Sequence, residues 1–196
     1  MSPHPPTAGL ILAAGESRRM GSPKALLRYG SETFLDTLIA LFTPRCSPVI
    51  AVLGAAAGEI RAGTKRAADF IANPEWQRGM TTSLQCGLRA VPAEAEGVLL
   101  TLVDHPAVTP QTLDALLNGA PAALLRVPRF EGRRGHPIWF SRRLISEFLA
   151  LSADDAARDV VHAHASETEW IDVADSGIVA DIDDLEAYRT LVGARP

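Results

Sequence analysis

The segment from residue 9 to residue 24 constrains the fold of this 196-residue chain more than any other part of the sequence. It begins with an apolar run, Gly9 to Ala13, which is typical of a buried strand. The run ends at two small residues, and the loop that follows carries the cations Arg18, Arg19 and Lys24. Small residues let a backbone approach a ligand, consecutive N–H groups bind anions, and cations stabilise a reacting phosphate. The segment therefore predicts a polyphosphate loop, although its spacing fits neither GxxxxGKS/T nor GxGxxG.

Taken alone, this segment could be a surface loop with basic residues. Its pattern LAAGxSxRMGxxK, however, resembles the signature of the MobA-like nucleotidyltransferases, a family that includes molybdenum cofactor guanylyl- and cytidylyltransferases. The resemblance implies that the loop binds a nucleoside triphosphate, with Lys24 and Arg19 in catalytic roles. The loop residues that it assigns to nucleotide binding are Leu12, Ala13, Ala14, Gly15, Ser17, Arg19, Met20, Gly21 and Lys24.

The composition is that of an ordinary globular protein, with 47% hydrophobic and 21% charged residues. A net charge of −4 argues against broad nucleic-acid binding but permits a local basic pocket. The two cysteines, Cys46 and Cys86, form no CxxC pattern, so we expect reduced thiols and a cytoplasmic protein. The first residues lack the pattern of a signal peptide and no apolar run reaches membrane-spanning length, so we expect no membrane association.

Strand and helix patterns alternate along the chain, which predicts an α/β fold with a mostly parallel sheet covered on both faces. We predict a single domain over residues 8–196, preceded by a disordered, proline-rich segment over residues 1–7. Strands are predicted near 8–13, 48–53, 69–72, 97–103, 122–127, 136–140 and 168–173, and helices near 33–42, 56–62, 81–90, 109–118, 141–150, 155–164 and 183–192. The family resemblance, which extends from residue 8 to residue 190, implies a Rossmann-like three-layer sandwich of the nucleotide-diphospho-sugar transferase type, with a mixed sheet.

A carboxylate is expected at the carboxyl edge of the sheet, where ligands bind in such folds. Asp104 lies at the end of the apolar strand 97–103, and it could hold Mg²⁺ against triphosphate oxygens or simply form a turn. By the family resemblance, the acid of this DxP turn is the main Mg²⁺ ligand. His105 departs from the Met, Gln or Thr that is usual at the next position, and we expect it to line the turn rather than contact the acceptor.

A second metal ligand is expected in the acidic segment over residues 181–186, which resembles the DIDTPED segment of the family. Alternation along an extended segment places Asp181 and Asp183 on one side. Both are therefore candidate ligands, with Asp183 ranked first. The alternative is an acidic helix N-terminus, at which Asp183 and Asp184 would stabilise the helix dipole.

The segment over residues 73–87 resembles the family pattern NPxWxxGMxxSLxxG. Its glycine permits a close approach of the backbone, and the hydroxyl residues that follow begin a helix whose free N–H groups suit ribose or base contacts. The resemblance implies that Asn73, Gly79 and Ser83 contact the base or the ribose. Alternatively, the hydroxyl residues are only helix caps, and we expect Trp76 to pack rather than to stack on a base.

The acceptor side is indicated by residues 133–140, which resemble the GHPxxF motif of the cytidylyl branch of the family. The resemblance places Arg134, Gly135, His136 and Pro137 in a pocket for a phosphorylated acceptor, and arginine suits phosphate geometry. Residues 151–158 resemble the family segment LxGDxGAR, but alanines replace both glycines. This departure leaves the identity of the acceptor open.

Together the resemblances of these segments to the family imply transfer of a nucleoside monophosphate from a triphosphate to a phosphorylated acceptor, with Mg²⁺ as cofactor and release of pyrophosphate. The triplet Ala13-Ala14-Gly15 favours CTP, because cytidylyl members of the family tend to have AAG where guanylyl members have AGG. The expected acceptor is molybdopterin or its molybdenum complex, with a molybdoenzyme as a possible client. Two alternatives stay open: a transferase for a sugar or polyol phosphate, and a non-catalytic cofactor-binding protein for the maturation of a molybdenum hydroxylase.

Overall fold

A central β-sheet with helices on both faces organises the chain in the computed structural model, which describes residues 4–17 and 20–193. The strands are β1 (Thr7–Ala13), β2 (Arg28–Tyr29), β3 (Glu32–Thr33), β4 (Val49–Leu53), β5 (Asp69–Ala72), β6 (Gly97–Leu102), β7 (Leu125–Phe130), β8 (Arg133–Arg134), β9 (Ile138–Ser141) and β10 (Thr168–Asp172). The helices are α1 (Phe34–Phe42), α2 (Ala57–Gly63), α3 (Met80–Leu88), α4 (Pro110–Leu117), α5 (Ile145–Ala150), α6 (Ala157–Ala163) and α7 (Leu185–Gly193). The α/β class and the mostly parallel sheet that the sequence predicts are confirmed.

The strand order of the main sheet brings three loops to one edge. Its described strands run in the order β10-β7-β9-β6-β1-β4-β5, and β8 pairs with β7. β1 lies parallel to both β4 and β6, with Leu12 opposite Val52 and Leu102. β9 runs antiparallel between β6 and β7, which makes the sheet mixed. Because β1, β4 and β6 point the same way, the loops that leave them meet at the carboxyl edge of the sheet.

The side chains of β1 alternate between two hydrophobic cores. Leu10 and Leu12 pack with α3 and α5 on one face, whereas Ile11 and Ala13 pack with α1 and α4 on the other. All seven residues of β1 are buried, as expected of a parallel strand with helices on both sides. The loop that follows β1 therefore starts from a strand whose position is fixed by packing on both faces.

The first strand begins one residue earlier than predicted. Thr7 belongs to β1, is 3% exposed, and accepts a hydrogen bond from Trp139 Nε1 at 3.4 Å. The Pro6 carbonyl accepts a hydrogen bond from the Glu96 N–H at 2.8 Å. The prediction of disorder up to residue 7 is therefore wrong for this part of the chain, and residues 1–3 lie outside the described residues.

The strand predicted over residues 122–127 lies three residues later, as β7. Residues 121–122 form a turn instead, and the Ala123 N–H donates to the Ala120 carbonyl at 3.1 Å. Within β7, Arg126 is 2% exposed in the middle of the apolar run. Its guanidinium stacks on the Trp139 ring at 3.9 Å and donates to three carbonyl groups at the end of α4 and just beyond it, those of Leu116, Leu117 and Ala120. These bonds satisfy helix carbonyls that would otherwise lack donors, and they hold β7 against α4.

Smaller differences concern short strands and helix ends. β2, β3 and β8 have two residues each, too few to produce an alternating pattern in the sequence. α7 starts at Leu185 rather than at residue 183, because Asp184 accepts the Ala187 N–H at 2.9 Å and caps the helix. The other predicted elements are present, with ends that move by no more than about four residues. Among the described residues, no helix is both long and apolar enough to cross a membrane.

Candidate functional site

A cavity of about 530 Å³, called here the first cavity, opens at the carboxyl edge of the sheet. Ten of the predicted site residues line it: Leu12, Ala13, Ala14, Gly15, Ser17, Lys24, Gly79, Ser83, Asp104 and Asp183. The predicted residues Met20, Gly21, Asn73 and Asp181 are not among its lining residues. Arg19, predicted to be catalytic, lies outside the described residues. The fold thus brings the loop after β1, the start of α3 and two carboxylates to one cavity.

An ammonium group and two carboxylates form a polar cluster in the first cavity. Lys24 Nζ donates to Asp183 Oδ1 at 2.7 Å and to Asp104 Oδ2 at 3.5 Å. The side chains of Lys24 and Asp104 are 14% and 17% exposed, whereas that of Asp183 is 57% exposed. Three predicted residues from distant segments of the chain are therefore in direct contact.

A backbone contact holds the two carboxylates together. Ile182 is buried, and its N–H donates to the Asp104 carbonyl at 3.2 Å, which ties the segment before α7 to the turn after β6. Asp183 follows and reaches the cavity, whereas Asp184 caps α7 and Asp181 is exposed outside the cavity lining. Of the two candidate second ligands, the geometry favours Asp183.

The oxygen atoms of this cluster suit a hard divalent cation. Asp104 Oδ1 is buried without a hydrogen-bond partner among the described residues, and His105 Nε2 lies 3.7 Å from it, beyond hydrogen-bond distance. Burying a carboxylate oxygen is unfavourable unless a donor or a cation binds it. Within the described ranges, no group of three or more His, Cys, Asp or Glu side chains is placed to hold a metal ion. An ion bound here would complete its coordination with phosphate or water oxygens, as Mg²⁺ commonly does.

The loop after β1 folds back toward the carboxylates. Ser17 has a φ of 54°, in the left-handed region that residues other than glycine rarely adopt. Its carbonyl accepts the Met20 N–H at 2.9 Å, and its Oγ accepts the Lys24 N–H at 3.0 Å. Met20 is itself buried, so it anchors the loop instead of lining the cavity. These contacts place the Lys24 side chain beside Asp104.

A glycine outside the predicted set fixes the position of Ala14. A Cβ atom at Gly54, directly after β4, would collide with the Ala14 carbonyl oxygen and lie 2.8 Å from Trp76 Cβ. The Ala55 N–H donates to the same carbonyl at 3.4 Å. The sequence signal for this role is a glycine that directly follows a buried strand. Because its backbone is held in this way, the Ala14 methyl group takes up a fixed part of the cavity wall.

The segment before α3 places a hydroxyl group at the cavity. Asn73 is 4% exposed, and its Nδ2 donates to Thr82 Oγ1 and Ser83 Oγ at 3.0 Å each. Asn73 therefore stabilises the start of α3 through these hydrogen bonds. Ser83 lines the cavity. Gly79 has a φ of 112°, and a Cβ atom there would meet only the Ala153 carbonyl oxygen, at 3.9 Å. Its backbone conformation therefore favours glycine at this position, and the close approach to a ligand stays a prediction.

Residues outside the predicted set also line the first cavity. Trp76, which was expected to pack, is half-buried and lines the cavity beside Gln77 and Met80. The signal for these three residues is the motif over residues 73–87, to which all of them belong. Ile60 comes from α2, which carries no recognisable motif, so only the fold reveals its place.

A second cavity, of about 630 Å³, adjoins the first. Leu12, Met80 and Leu102 line both cavities, so the two share a wall. The predicted acceptor residues Arg134, Gly135 and His136 line the second cavity, whereas Pro137 is buried and does not. The apolar part of the lining is formed by Leu84, Leu100, Val127, Ile138, Phe148 and Val161.

The positive charge of the second cavity comes from arginine. Arg134 Nη1 donates to His162 Nε2 at 3.2 Å, and Arg158 lies in the same lining. Burial, assisted by the His105 ring at 5.2 Å, lowers the pKa of His136 from 6.5 to about 4, against a hydrogen bond with the Leu100 backbone. His136 is therefore uncharged at neutral pH, and its Nδ1 is buried without a partner among the described residues.

The altered loop over residues 151–158 forms one side of the second cavity. Ala153 and Ala156, which replace the two glycines of the family segment, both lie in the lining. Thr81 Oγ1 donates to the Asp155 carbonyl at 2.6 Å, so the start of α3 holds this loop in place. The two alanines that depart from the family pattern therefore lie in the wall of the second cavity.

Known proteins resemble the chain over most of its length. It matches the family model of the MobA-like NTP transferase domain over residues 9–168. It is 29% identical over 198 residues to the probable molybdenum cofactor guanylyltransferase of Mycobacterium avium (strain 104), with 96% of each chain covered. It is 32% identical over 144 residues to the molybdenum cofactor cytidylyltransferase of Escherichia coli (strain K12), which covers 71% of this chain and 72% of that protein.

Solved structures share the fold. Rv0371c from Mycobacterium tuberculosis H37Rv has a TM-score of 0.87 at 32% identity, with 97% of this chain and 100% of that chain covered. Its complex with manganese has a TM-score of 0.83 at 30% identity, with the same coverage of 97% and 100%. The chain belongs to the MobA-like NTP transferase family and is a nucleotidyltransferase.

Proposed function

We propose that this protein transfers CMP from CTP to the phosphate group of molybdopterin, with Mg²⁺ as cofactor and release of pyrophosphate. One observation carries the proposal: the cluster of Lys24, Asp104 and Asp183 lies in a cavity that shares a wall with a second, larger cavity. A donor nucleotide in the first cavity and an acceptor in the second would meet at that wall. The wall includes Leu102, two residues before Asp104, so the reacting phosphates would lie beside the carboxylates.

The proposed reaction depends on positioning and charge stabilisation more than on acid–base chemistry. The acceptor phosphate is already anionic near neutral pH, so its oxygen attacks the α-phosphorus while pyrophosphate leaves on the opposite side. Mg²⁺ held by Asp104 and Asp183 would offset the charge of the α-phosphate and the leaving group. Lys24 and the N–H groups of the loop after β1 bind the same phosphates and orient them. Arg19 is proposed to assist Lys24.

The proposed nucleotide is CTP. Ala14 is 7% exposed, and its backbone is confined by Gly54, so its methyl group has little freedom to move away from a bound base. A methyl group where the guanylyl branch has glycine disfavours the larger purine by about 1–3 kcal/mol. The relatives include both a guanylyl- and a cytidylyltransferase, so the selectivity rests on this one side chain.

The proposed acceptor is molybdopterin or its molybdenum complex. The second cavity combines an apolar floor with Arg134 and Arg158, which suits a ring system that carries a phosphate. The uncharged His136 lines the same cavity and adds no positive charge near the arginines at neutral pH. Relatives named for molybdenum cofactor transfer support this acceptor. A molybdoenzyme is proposed as the client, in the cytoplasm, where the free Cys46 and Cys86 would stay reduced.

Pyrophosphate release with Mg²⁺, molybdopterin and each of CTP, GTP and ATP tests the proposal. We expect release with CTP, and a rate at least about 100-fold lower in Asp104→Asn. Asp172→Asn is the matched control, because Asp172 is an exposed carboxylate that pairs with Arg129 outside both cavities, and it should keep full activity. Full activity of Asp104→Asn would overturn the metal assignment. Nucleotide binding without release would favour another acceptor or a cofactor-binding protein.

A further inference from the structure

Lys24 occupies the space between the two carboxylates that are proposed to bind Mg²⁺. Its Nζ lies 2.7 Å from Asp183 Oδ1 and 3.5 Å from Asp104 Oδ2. An Mg²⁺ ion bound to carboxylate oxygens needs distances of about 2.1 Å. The ammonium group therefore holds one oxygen of each carboxylate, and an ion that bound to these same two oxygens would have to displace it.

We propose that Lys24 holds Asp104 and Asp183 together in the free protein and excludes the divalent ion from them. When a nucleoside triphosphate binds, its phosphates displace Lys24 from the carboxylates, and the ion can bind there. The inference rests on the metal site of the proposed function. In the free protein Lys24 is a positioning residue for the carboxylates, and it becomes a phosphate-binding residue only when the nucleotide is bound.

The charges of the site favour replacement of Lys24 by the divalent ion when the nucleotide binds. Among the contacts of Lys24, its ammonium offsets one of the two carboxylate charges of Asp104 and Asp183 without a metal ion. A divalent ion that joined this cluster would set two cations side by side in a partly buried site, where their repulsion disfavours binding of both. A triphosphate supplies enough negative charge to offset both cations. The ion is therefore expected to enter with the nucleotide and not before it.

The fold lets the ammonium move while the backbone stays in place. Lys24 begins a short 3-10 turn, its N–H donates to Ser17 Oγ at 3.0 Å, and the neighbouring Ala25 is buried. The lysine side chain has a flexible four-carbon stem. Because Gly15 and Ser17 line the same cavity as Asp104, the phosphate loop and the carboxylates lie within reach of this one side chain.

Binding of Mn²⁺ to the nucleotide-free, full-length protein tests the inference, with free Mn²⁺ measured by electron paramagnetic resonance. Lys24→Met removes the charge and keeps the length of the side chain. Lys65→Met is the matched control, because Lys65 is the only other lysine in the sequence and is exposed outside the first cavity. We expect Lys24→Met to bind Mn²⁺ at least about fivefold more tightly than the wild type and Lys65→Met. Adding Asp104→Asn to Lys24→Met should remove this gain.

Affinity for CTP provides a second readout. Mn²⁺ should strengthen CTP binding to the wild type, since each ligand favours the state in which Lys24 has left the carboxylates. In Lys24→Met this enhancement should shrink by about fivefold or more, because the ion no longer displaces a lysine. Thermal unfolding curves establish that each variant is folded before its affinities are compared.

Equal Mn²⁺ affinities of Lys24→Met and the wild type would overturn the inference. If such binding still depended on Asp104, the metal site of the proposed function would stand. Weaker Mn²⁺ binding by Lys24→Met would also overturn the inference, because the lysine would then support the ion instead of competing with it. Failure of the proposed function shows itself separately, as a wild-type protein that releases no pyrophosphate from CTP.

Discussion

His136 should make the stability of the protein depend on pH in mildly acidic solution. Burial lowers the pKa of this side chain from 6.5 to about 4. Between these values the unfolded chain binds a proton that the folded protein does not bind, so the free energy of unfolding falls as the pH falls. The full difference between the two pKa values corresponds to about 3 kcal/mol.

The variant His136→Gln isolates this contribution, because glutamine stays uncharged throughout the range. Denaturant unfolding, followed by tryptophan fluorescence at several pH values from 7 to 4, gives the free energy of unfolding of each protein. The wild type should lose about 3 kcal/mol more than His136→Gln as the pH falls from 6.5 to 4. Contributions from other titrating groups cancel in the difference, except for the His105 ring that packs on His136 at 5.2 Å.

A difference between the two proteins that stays constant from pH 7 to pH 4 would refute the reasoning. It would mean that His136 takes up its proton in the folded protein as easily as in the unfolded chain. A difference of the opposite sign would mean that the fold favours the charged imidazole. The second cavity would then contain a further positive charge beside Arg134 and Arg158.

Three further substitutions probe the core, a surface cluster and the nucleotide pocket. Arg126→Met should lower the free energy of unfolding by about 2–4 kcal/mol in urea titrations, because buried carbonyls at the end of α4 lose their donor. Hydrogen bonds with Glu147 and then Glu167 raise the pKa of His164. The charged His164 therefore stabilises the folded protein below pH 6.5, and this stabilisation is lost as the pH rises through the pKa of the folded state. His164→Gln should therefore be less stable than the wild type at pH 6, by under about 1 kcal/mol, and equally stable at pH 9 in the same titrations. Ala14→Gly should raise kcat/KM for GTP relative to CTP by about tenfold in initial-rate assays.

The loop after β1 could be predicted because its signals are local. A buried strand, two small residues and a lysine lie within one short segment, and the structure places Leu12, Gly15 and Lys24 in the same cavity. Asp104 was predictable for the same reason, since it ends an apolar strand and precedes a proline turn. In both cases the residue type and the position in the sheet allow the site, and the resemblance to the family decides between the site and a plain loop or turn.

The sequence ranked Asp183 above Asp181 as the second candidate ligand beside Asp104 but gave no strong reason for that order. Alternation put Asp181 and Asp183 on the same side, and the choice between them depends on the bond from the Ile182 N–H to the Asp104 carbonyl. This contact joins segments far apart in the chain, and no local pattern reports it. The roles of Gly54 and Ile60 depend on long-range packing in the same way.

Buried polar side chains have hydrogen-bond partners that the sequence did not reveal. Arg126 bonds to the carbonyls of α4 from inside β7, a role that its position in an apolar run did not indicate. Asn73 bonds to Thr82 and Ser83 beside the cavity, and its contact with the nucleotide stays a prediction. A polar residue in a motif indicates that a hydrogen bond is needed, but only the fold shows whether the partner is a ligand or the protein itself.

Transfer of the nucleotide to the acceptor is the central claim, and a single-turnover experiment tests it most directly. The wild-type protein is mixed with molybdopterin, Mg²⁺ and CTP that is labelled at the α-phosphate. The products are then separated and identified by mass spectrometry. The account predicts that the label moves into a molybdopterin–CMP product, with one pyrophosphate released for each molecule formed. Label that remains in CTP, or that appears as free CMP, would contradict it.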